Sequence, residues 1–151
     1  MNVGLTQATF DGKLYALPNV NGNRDGANFW WIRYDWLEKL NLEEPKTLDD
    51  LVKVMYAFAQ NDPDGNGQND TFGMGMTKEL FGSMGMAALG DGMGAYTDGW
   101  VNGESGIEYG SIQPQVKEML ELLNKLYADG VLDREFIVKD ATKVNEDIVA
   151  G

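Results

Sequence analysis

The chain has 151 residues, 43% of them hydrophobic, which is enough to bury the core of one domain but hardly of two. It contains neither cysteine nor histidine, which excludes disulfides, thiolate and imidazole metal sites, cysteine nucleophiles and histidine general bases. With 24 acids against 12 bases the net charge is −12, so phosphate backbones and anionic membranes are repelled, while neutral ligands and hard cations are not.

In chain order, residues 12–18 (Gly-Lys-Leu-Tyr-Ala-Leu-Pro) form a short apolar run closed by proline, the pattern of a strand. A polar loop rich in Asn, Asp and Gly follows over 19–28. Residues 29–33 (Phe-Trp-Trp-Ile-Arg) read as a second strand and 35–40 as a short helix ended by Asn41. Thr47, with Asp49 and Asp50 behind it, caps a helix whose stripe Leu51, Val52, Met55, Phe58 and Ala59 runs to about residue 60.

From 62 to 110 glycine is abundant, and Lys78 is the lone base against eight acids between 54 and 116. There, 72–76 is expected as a strand, 79–89 as a glycine-interrupted helix stopped by Gly90, and 100–104 as a hairpin turning at Asn102-Gly103. Pro114 opens the clearest helix, with Val116, Met119, Leu120, Leu123, Leu126 and Tyr127 at helical spacing up to Gly130. A short continuation over 132–138 and a further helix over 141–149 complete a mixed α/β or α+β pattern.

No run approaches the roughly 18 apolar residues of a membrane span, and residues 1–7 lack a signal-peptide pattern. An export signal is therefore expected outside this chain, whose ends read as those of a fragment.

The most specific local pattern is Asp62-Pro-Asp64-Gly-Asn66-Gly67-Gln68-Asn69-Asp70. It puts oxygen side chains at loop positions 1, 3, 5 and 9, with glycine at 6 and the Gln68 carbonyl at 7, the arrangement that wraps Ca2+ in a tight turn. Asp62, Asp64, Asn66, Gln68 and Asp70 are the candidate ligands. Position 12 is Gly73 rather than a bidentate Glu, so the remaining ligands would be water or an acid such as Glu79 or Asp91. An ordinary Asn/Asp/Gly turn is the plainer alternative. Asn69-Asp70-Thr71 also fits a glycosylation sequon, a triplet common by chance and in competition with the ion.

A second constellation is aromatic: Trp30, Trp31, Trp36, Tyr96 and Trp100, with Arg33 and the Asn-rich loop near in sequence. An indole covers the apolar face of a pyranose, and Asn, Asp and Arg exchange hydrogen bonds with its hydroxyls. Most of these aromatics are equally suited to a core, and in a strand Trp30 and Trp31 would point to opposite faces. The carboxylate pairs Asp49/Asp50 and Glu118/Glu121 sit on helix surfaces, and no serine lies in a nucleophile elbow or has a histidine to activate it. No enzyme is indicated.

The order of segments Asp11-Gly-Lys-Leu-Tyr-Ala-Leu-Pro18, Trp31-Ile-Arg-Tyr-Asp-Trp-Leu-Glu-Lys-Leu-Asn-Leu42, Pro45-Lys-Thr-Leu-Asp-Asp-Leu51 and Leu126-Tyr-Ala-Asp-Gly-Val-Leu-Asp133 resembles the extracellular solute-binding proteins of family 1, receptors of carbohydrate ABC importers, especially their Gram-positive lipoprotein subgroup. The resemblance implies part of a type II periplasmic-binding-protein fold. Residues 1–27 would be an interlobe crossover strand and loop, and 28–151 a partial C-terminal lobe carrying the calcium loop. It further implies an extracellular lipoprotein that captures an oligosaccharide for membrane permease subunits, without catalysis. In alginate-type relatives the corresponding calcium is structural. Asn19, Asn28, Trp30, Arg33 and Trp100 are then the expected ligand contacts. A calcium-dependent carbohydrate-active enzyme module, or a dockerin-like interaction module, is the competing expectation, although a dockerin would carry two such loops.

Overall fold

The computed structural model describes residues 3–18, 28–82, 84–103 and 106–150. Helix α1 (Val3–Gln7) leads into a ribbon of β1 (Thr9–Phe10) and β2 (Lys13–Leu14), paired antiparallel as Thr9 with Leu14 and Phe10 with Lys13. Asp11 and Gly12 turn it with φ of 50° and 72°, the left-handed pair that a two-residue hairpin requires. The strand expected over 12–18 is thus limited to Lys13–Leu14, extended only by the Tyr15 N–H donating to the Ala8 carbonyl. No strand forms over 29–33, because no described segment pairs with it.

Helix α2 (Tyr34–Lys39) ends as expected at Asn41, whose φ is 52°. The Asn41 and Leu42 N–H groups donate to the Glu38 and Leu37 carbonyls, which satisfies the last turn. Helix α3 (Leu48–Gln60) is capped by Thr47, whose side chain accepts the Asp50 N–H. It packs in two directions. Val54 and Phe58 meet Trp36 and Leu37, with the Trp36 and Phe58 rings edge to face at 5.2 Å. Met55 and Ala59 enter a larger core with Met74, Met76, Met86, Leu89, Met119, Leu126 and Leu132. Trp36 is therefore a core residue and not part of an exposed aromatic surface.

Residues 79–82 and 84–86 differ from expectation. The Gly82 N–H bonds to Glu79 and the Met86 N–H to the Leu80 carbonyl, while a Cβ at Gly85 would stand 2.1 Å from the Leu80 oxygen. Consecutive turns result, and helix α4 starts only afterwards (Ala87–Met93), ending at Gly94 with φ of 69°. Gly90 lies inside α4 instead of stopping it. A Cβ there would meet the Ala95 oxygen at 2.6 Å and the Met119 sulfur at 3.2 Å, so glycine lets α4 lie close against the following helix α5 (Pro114–Ala128).

The second ribbon pairs β3 (Trp100–Gly103) with β4 (Gly106–Tyr109) in the register Trp100–Tyr109 and Asn102–Ile107. Asn102 and Gly103 are strand positions, not the turn; the connection, 104–105, is outside the described residues. After α5, Gly130 (φ 74°) reverses the chain, and a single parallel bridge joins Met74 to Leu132. That bridge is what the expected 72–76 strand amounts to. The end of the chain has a turn of 3-10 helix (Phe136–Val138) and helix α6 (Ala141–Ala150).

A charged knot pins this end. Lys139, only 7% exposed, places its ammonium 2.6 Å from the Asp133 carboxylate and 2.8 Å from that of Asp147 on α6. Burial opposes the charge of Lys139, but the two carboxylates outweigh it, so its pKa lies above the ordinary lysine value. Asp133 also accepts the Glu135 N–H at 2.9 Å, just ahead of the 3-10 turn.

Candidate functional site

The loop 62–70 connects α3 to the bridge at Met74. Its curl follows from backbone that L-residues rarely adopt: Asp62, Gly65 and Gly67 have φ of 47°, 81° and 76°. Asp62 organises it. One carboxylate oxygen accepts the N–H groups of Gly65 and Asn66 at 3.0 and 3.1 Å, and the other accepts that of Gly67 at 3.0 Å. The Asp62 carboxyl is held below the usual carboxylate range, first through its coupling to the neighbouring Asp64 side chain and then, against desolvation, by these N–H groups.

The Asn66 amide lies among the other candidate ligands. Its nitrogen donates to Asp64 Oδ2 at 2.7 Å and lies 3.2 Å from both oxygens of Asp70, while its oxygen accepts the Gln68 N–H at 2.6 Å. An electropositive group thus stands between Asp64 and Asp70. Among the described residues, no three acidic side chains are gathered closely enough to ligate one ion as they stand. The donor chemistry nevertheless fits a hard cation, with three carboxylates, one amide oxygen and a main-chain carbonyl on one tight turn.

Two residues after Asp70 have packing roles that the loop spacing does not reveal. Thr71 is buried, and its hydroxyl donates to the Phe58 carbonyl at 2.7 Å, tying the loop exit to α3. Gly73, at position 12, lies so close to α3 that a Cβ would stand 2.1 Å from the Met55 oxygen and 2.7 Å from Val131 Cγ1. No glutamate can occupy that position, which is the physical reason for the departure from an EF-hand. Asp91, offered by the sequence as a further ligand, instead accepts a hydrogen bond from Asn28 at 2.6 Å.

The expected carbohydrate contacts are spread over several elements. Asn19 lies outside the described residues. Asn28 is engaged with Asp91 on α4, and Trp30 is partly open at 37% exposure. Arg33 grips Asp35 with two nitrogens at 2.9 and 2.6 Å, donates to the Ile148 carbonyl at 3.1 Å, and lies 4.5 Å from the Trp36 ring centre. Trp100 is 72% exposed and meets Tyr109 edge to face at 5.6 Å. Asn102 and Ile107, two positions along, share that face of the ribbon, so Trp100, Tyr109 and Ile107 form an open apolar strip with an amide at its end. Tyr109 and Ile107 could have been found from the alternation Gly106-Ile-Glu-Tyr109 once the register was known.

No family model matches the chain. Lipoprotein LipO of Bacillus subtilis (strain 168) is 37% identical over 130 residues, which is 80% of this chain and 24% of LipO. The fructooligosaccharide ABC transporter substrate-binding protein FusA of Streptococcus pneumoniae serotype 4 (strain ATCC BAA-334 / TIGR4) is 35% identical over 142 residues, 86% of this chain and 26% of FusA. The solved structure of FusA in complex with kestose matches 75% of this chain and 23% of its own, with TM-score 0.64 and 34% identity. A FusA EF-hand mutant in complex with fructo-nystose matches 75% of this chain and 23% of its own, with TM-score 0.54 and 32% identity. An extracellular solute-binding protein from Bifidobacterium longum subsp. infantis matches 75% and 25%, with TM-score 0.63 and 28% identity.

The fold is part of the type II periplasmic-binding fold of extracellular solute-binding proteins. The chain is homologous to one segment of FusA, an ABC transporter substrate-binding protein, and of LipO, and it spans about a quarter of the length of the curated relatives it matches. Among the described residues, no helix is long and apolar enough to cross a membrane.

Proposed function

We propose that this chain is a segment of the substrate-binding component of an ABC importer, which captures an extracellular oligosaccharide for its permease subunits without catalysing a reaction. The observation that carries the reading is the 35% identity with FusA, a fructooligosaccharide ABC transporter substrate-binding protein, over 86% of this chain. In this reading residues 1–27 belong to an interlobe crossover and 28–151 to part of the C-terminal lobe. The intact protein is held outside the cell by a lipid anchor.

The loop 62–70 binds Ca2+ through Asp62, Asp64, Asn66, Gln68 and Asp70. When bound, the ion supplies a double positive charge that offsets the three carboxylates. Asp62 orders the turn through its N–H bonds, Asn66 must rotate its amide to present oxygen, and Thr71 and Gly73 hold the loop exit on α3. The loop is thereby tied to the methionine-rich core rather than to the aromatic strip. The existence of an EF-hand mutant of FusA supports a functional loop of this kind in a relative.

Sugar contact is assigned to Asn19, Asn28, Trp30, Arg33 and Trp100. Trp100 offers an open ring face, and Arg33 keeps two of its five N–H donors after its bonds to Asp35 and Ile148. Calorimetric titration of the intact receptor with fructooligosaccharides tests this: Trp100→Ala should weaken binding about tenfold or more, as loss of a stacking aromatic does. An unchanged affinity in both Trp100→Ala and Arg33→Ala would remove these two residues from the site.

A further inference from the structure

Between residues 54 and 77 the chain has no lysine or arginine, so the segment that carries Asp62, Asp64 and Asp70 brings no positive charge of its own. The fold brings one from α2. A Cβ built at Gly65, in the middle of the loop, would stand 2.6 Å from Lys39 Nζ and 3.6 Å from Lys39 Cε. Gly65 leaves room for this approach, having no side chain and a φ of 81°. Lys39 lies in the last turn of α2, and that turn is anchored. Trp36 and Leu37 are buried against Val54 and Phe58 of α3, and α3 ends at Gln60, just before Asp62. The root of the lysine is therefore fixed relative to the loop. Lys39 itself is exposed, and among the described residues no carboxylate or other acceptor holds its ammonium. Its charge acts on the loop through the field and not through a bond.

We infer that Lys39 sets the affinity and charge preference of the 62–70 loop for its cation, an inference that rests on the calcium reading of that loop. In the metal-free chain the tethered ammonium offsets part of the mutual repulsion of Asp62, Asp64 and Asp70. The same ammonium repels an entering cation, and the penalty grows with the charge of the ion. The three carboxylates and Lys39 together carry the charge that one divalent ion cancels, whereas the carboxylates alone would match a trivalent one. Lys39 thus weakens binding overall and weakens it more for a trivalent ion than for Ca2+. It does so without ligating the ion.

Calorimetric titration with Ca2+ and with Tb3+ tests this on the parent, Lys39→Met and Lys39→Arg, each at about 10 mM and at about 1 M KCl, where the screening lengths are about 30 Å and 3 Å. Methionine removes the charge without adding an oxygen that could ligate the ion. At low salt Lys39→Met should bind Ca2+ roughly threefold more tightly than the parent and Tb3+ roughly fivefold, because the repulsion scales with ion charge. At high salt both gains should disappear. Lys39→Arg keeps the charge and should keep the parent's affinities. A packing role for Lys39 would change both ions alike and would survive salt. Equal affinities in the parent and Lys39→Met at low salt, gains of one size for both ions, or a gain that persists at high salt would each overturn the inference while leaving the calcium loop in place. Binding absent from all three proteins would overturn the calcium reading and the inference together, so the two failures are told apart.

Discussion

A β-carbon added at Gly73 would stand 2.1 Å from the main-chain oxygen of Met55, so the exit of the 62–70 loop lies directly on the backbone of α3. The same residue donates its N–H to the Val131 carbonyl at 2.9 Å. Gly73 thus joins α3, the loop and the segment after α5 at one crowded point. Gly73→Ala should destabilise the fold by about 1–3 kcal/mol, the usual cost of overpacking a tight site. Urea denaturation measures it, and an unchanged midpoint would show that the contact relaxes freely.

The charged knot behaves differently. Replacing Lys139 by Met leaves Asp133, whose side chain is 4% exposed, buried without its counter-charge. Breaking a buried pair from one side costs about 3–5 kcal/mol, whereas replacing both partners with apolar groups is much milder. Lys139→Met should therefore be far less stable than the double variant Lys139→Met/Asp133→Leu in the same denaturation assay. Equal losses would mean that the pair is not coupled.

Acid sensitivity follows from the same knot. The Asp147 carboxyl is held below the usual carboxylate range by its hydrogen bonds first to Lys139 and then to Lys143. A lowered folded pKa contributes stability that is present above the unfolded value, near 4, and is lost as pH falls through the folded value. Lys139, raised above its ordinary value, contributes throughout the range below about 10.4 and loses that contribution only in strong alkali. Unfolding free energy measured against pH should therefore fall below about pH 4, and less steeply in Asp147→Asn than in the parent. Parallel curves would assign the acid loss to other groups.

The two tryptophans Trp36 and Trp100 should separate stability from binding. Trp36 is buried against Phe58 and Leu37, so Trp36→Ala should cost about 3–5 kcal/mol. Trp100 is open on its ribbon, and Trp100→Ala should shift stability by no more than about 0.5 kcal/mol. Comparing the two melting curves checks this ordering, and a large loss from Trp100→Ala would mean that the hairpin is held by its aromatic pair.

Helices α3 and α5 were legible because each carries a sustained apolar stripe with a local start signal, the Thr47 cap and Pro114. Segment 72–76 was not, because its β character is one bridge to Leu132, a partner far along the chain that no local pattern indicates. The hairpin at Trp100 was correctly placed, yet its turn was not. Pairing Trp100 with Tyr109 sets the register, and Asn102-Gly103 is drawn into the ladder despite its turn preference. In the 62–70 loop the spacing of oxygens was readable, since it depends only on neighbours in sequence. The roles of Thr71 and Gly73 were hidden, because they are defined by Phe58, Met55 and Val131. Arg33 was offered as a sugar contact from its place in the sequence, whereas its bonds to Asp35 and to the distant Ile148 carbonyl are set by the fold.

The most direct test of the calcium loop is a thermal melt of the chain in chelator and in millimolar Ca2+, repeated on Asp62→Ala/Asp64→Ala. An ion that binds only the folded state raises the melting temperature in proportion to the logarithm of its excess over Kd. A rise in the parent that the double variant abolishes is the predicted result. No rise in the parent, or an equal rise in both proteins, would contradict the assignment of calcium to this loop.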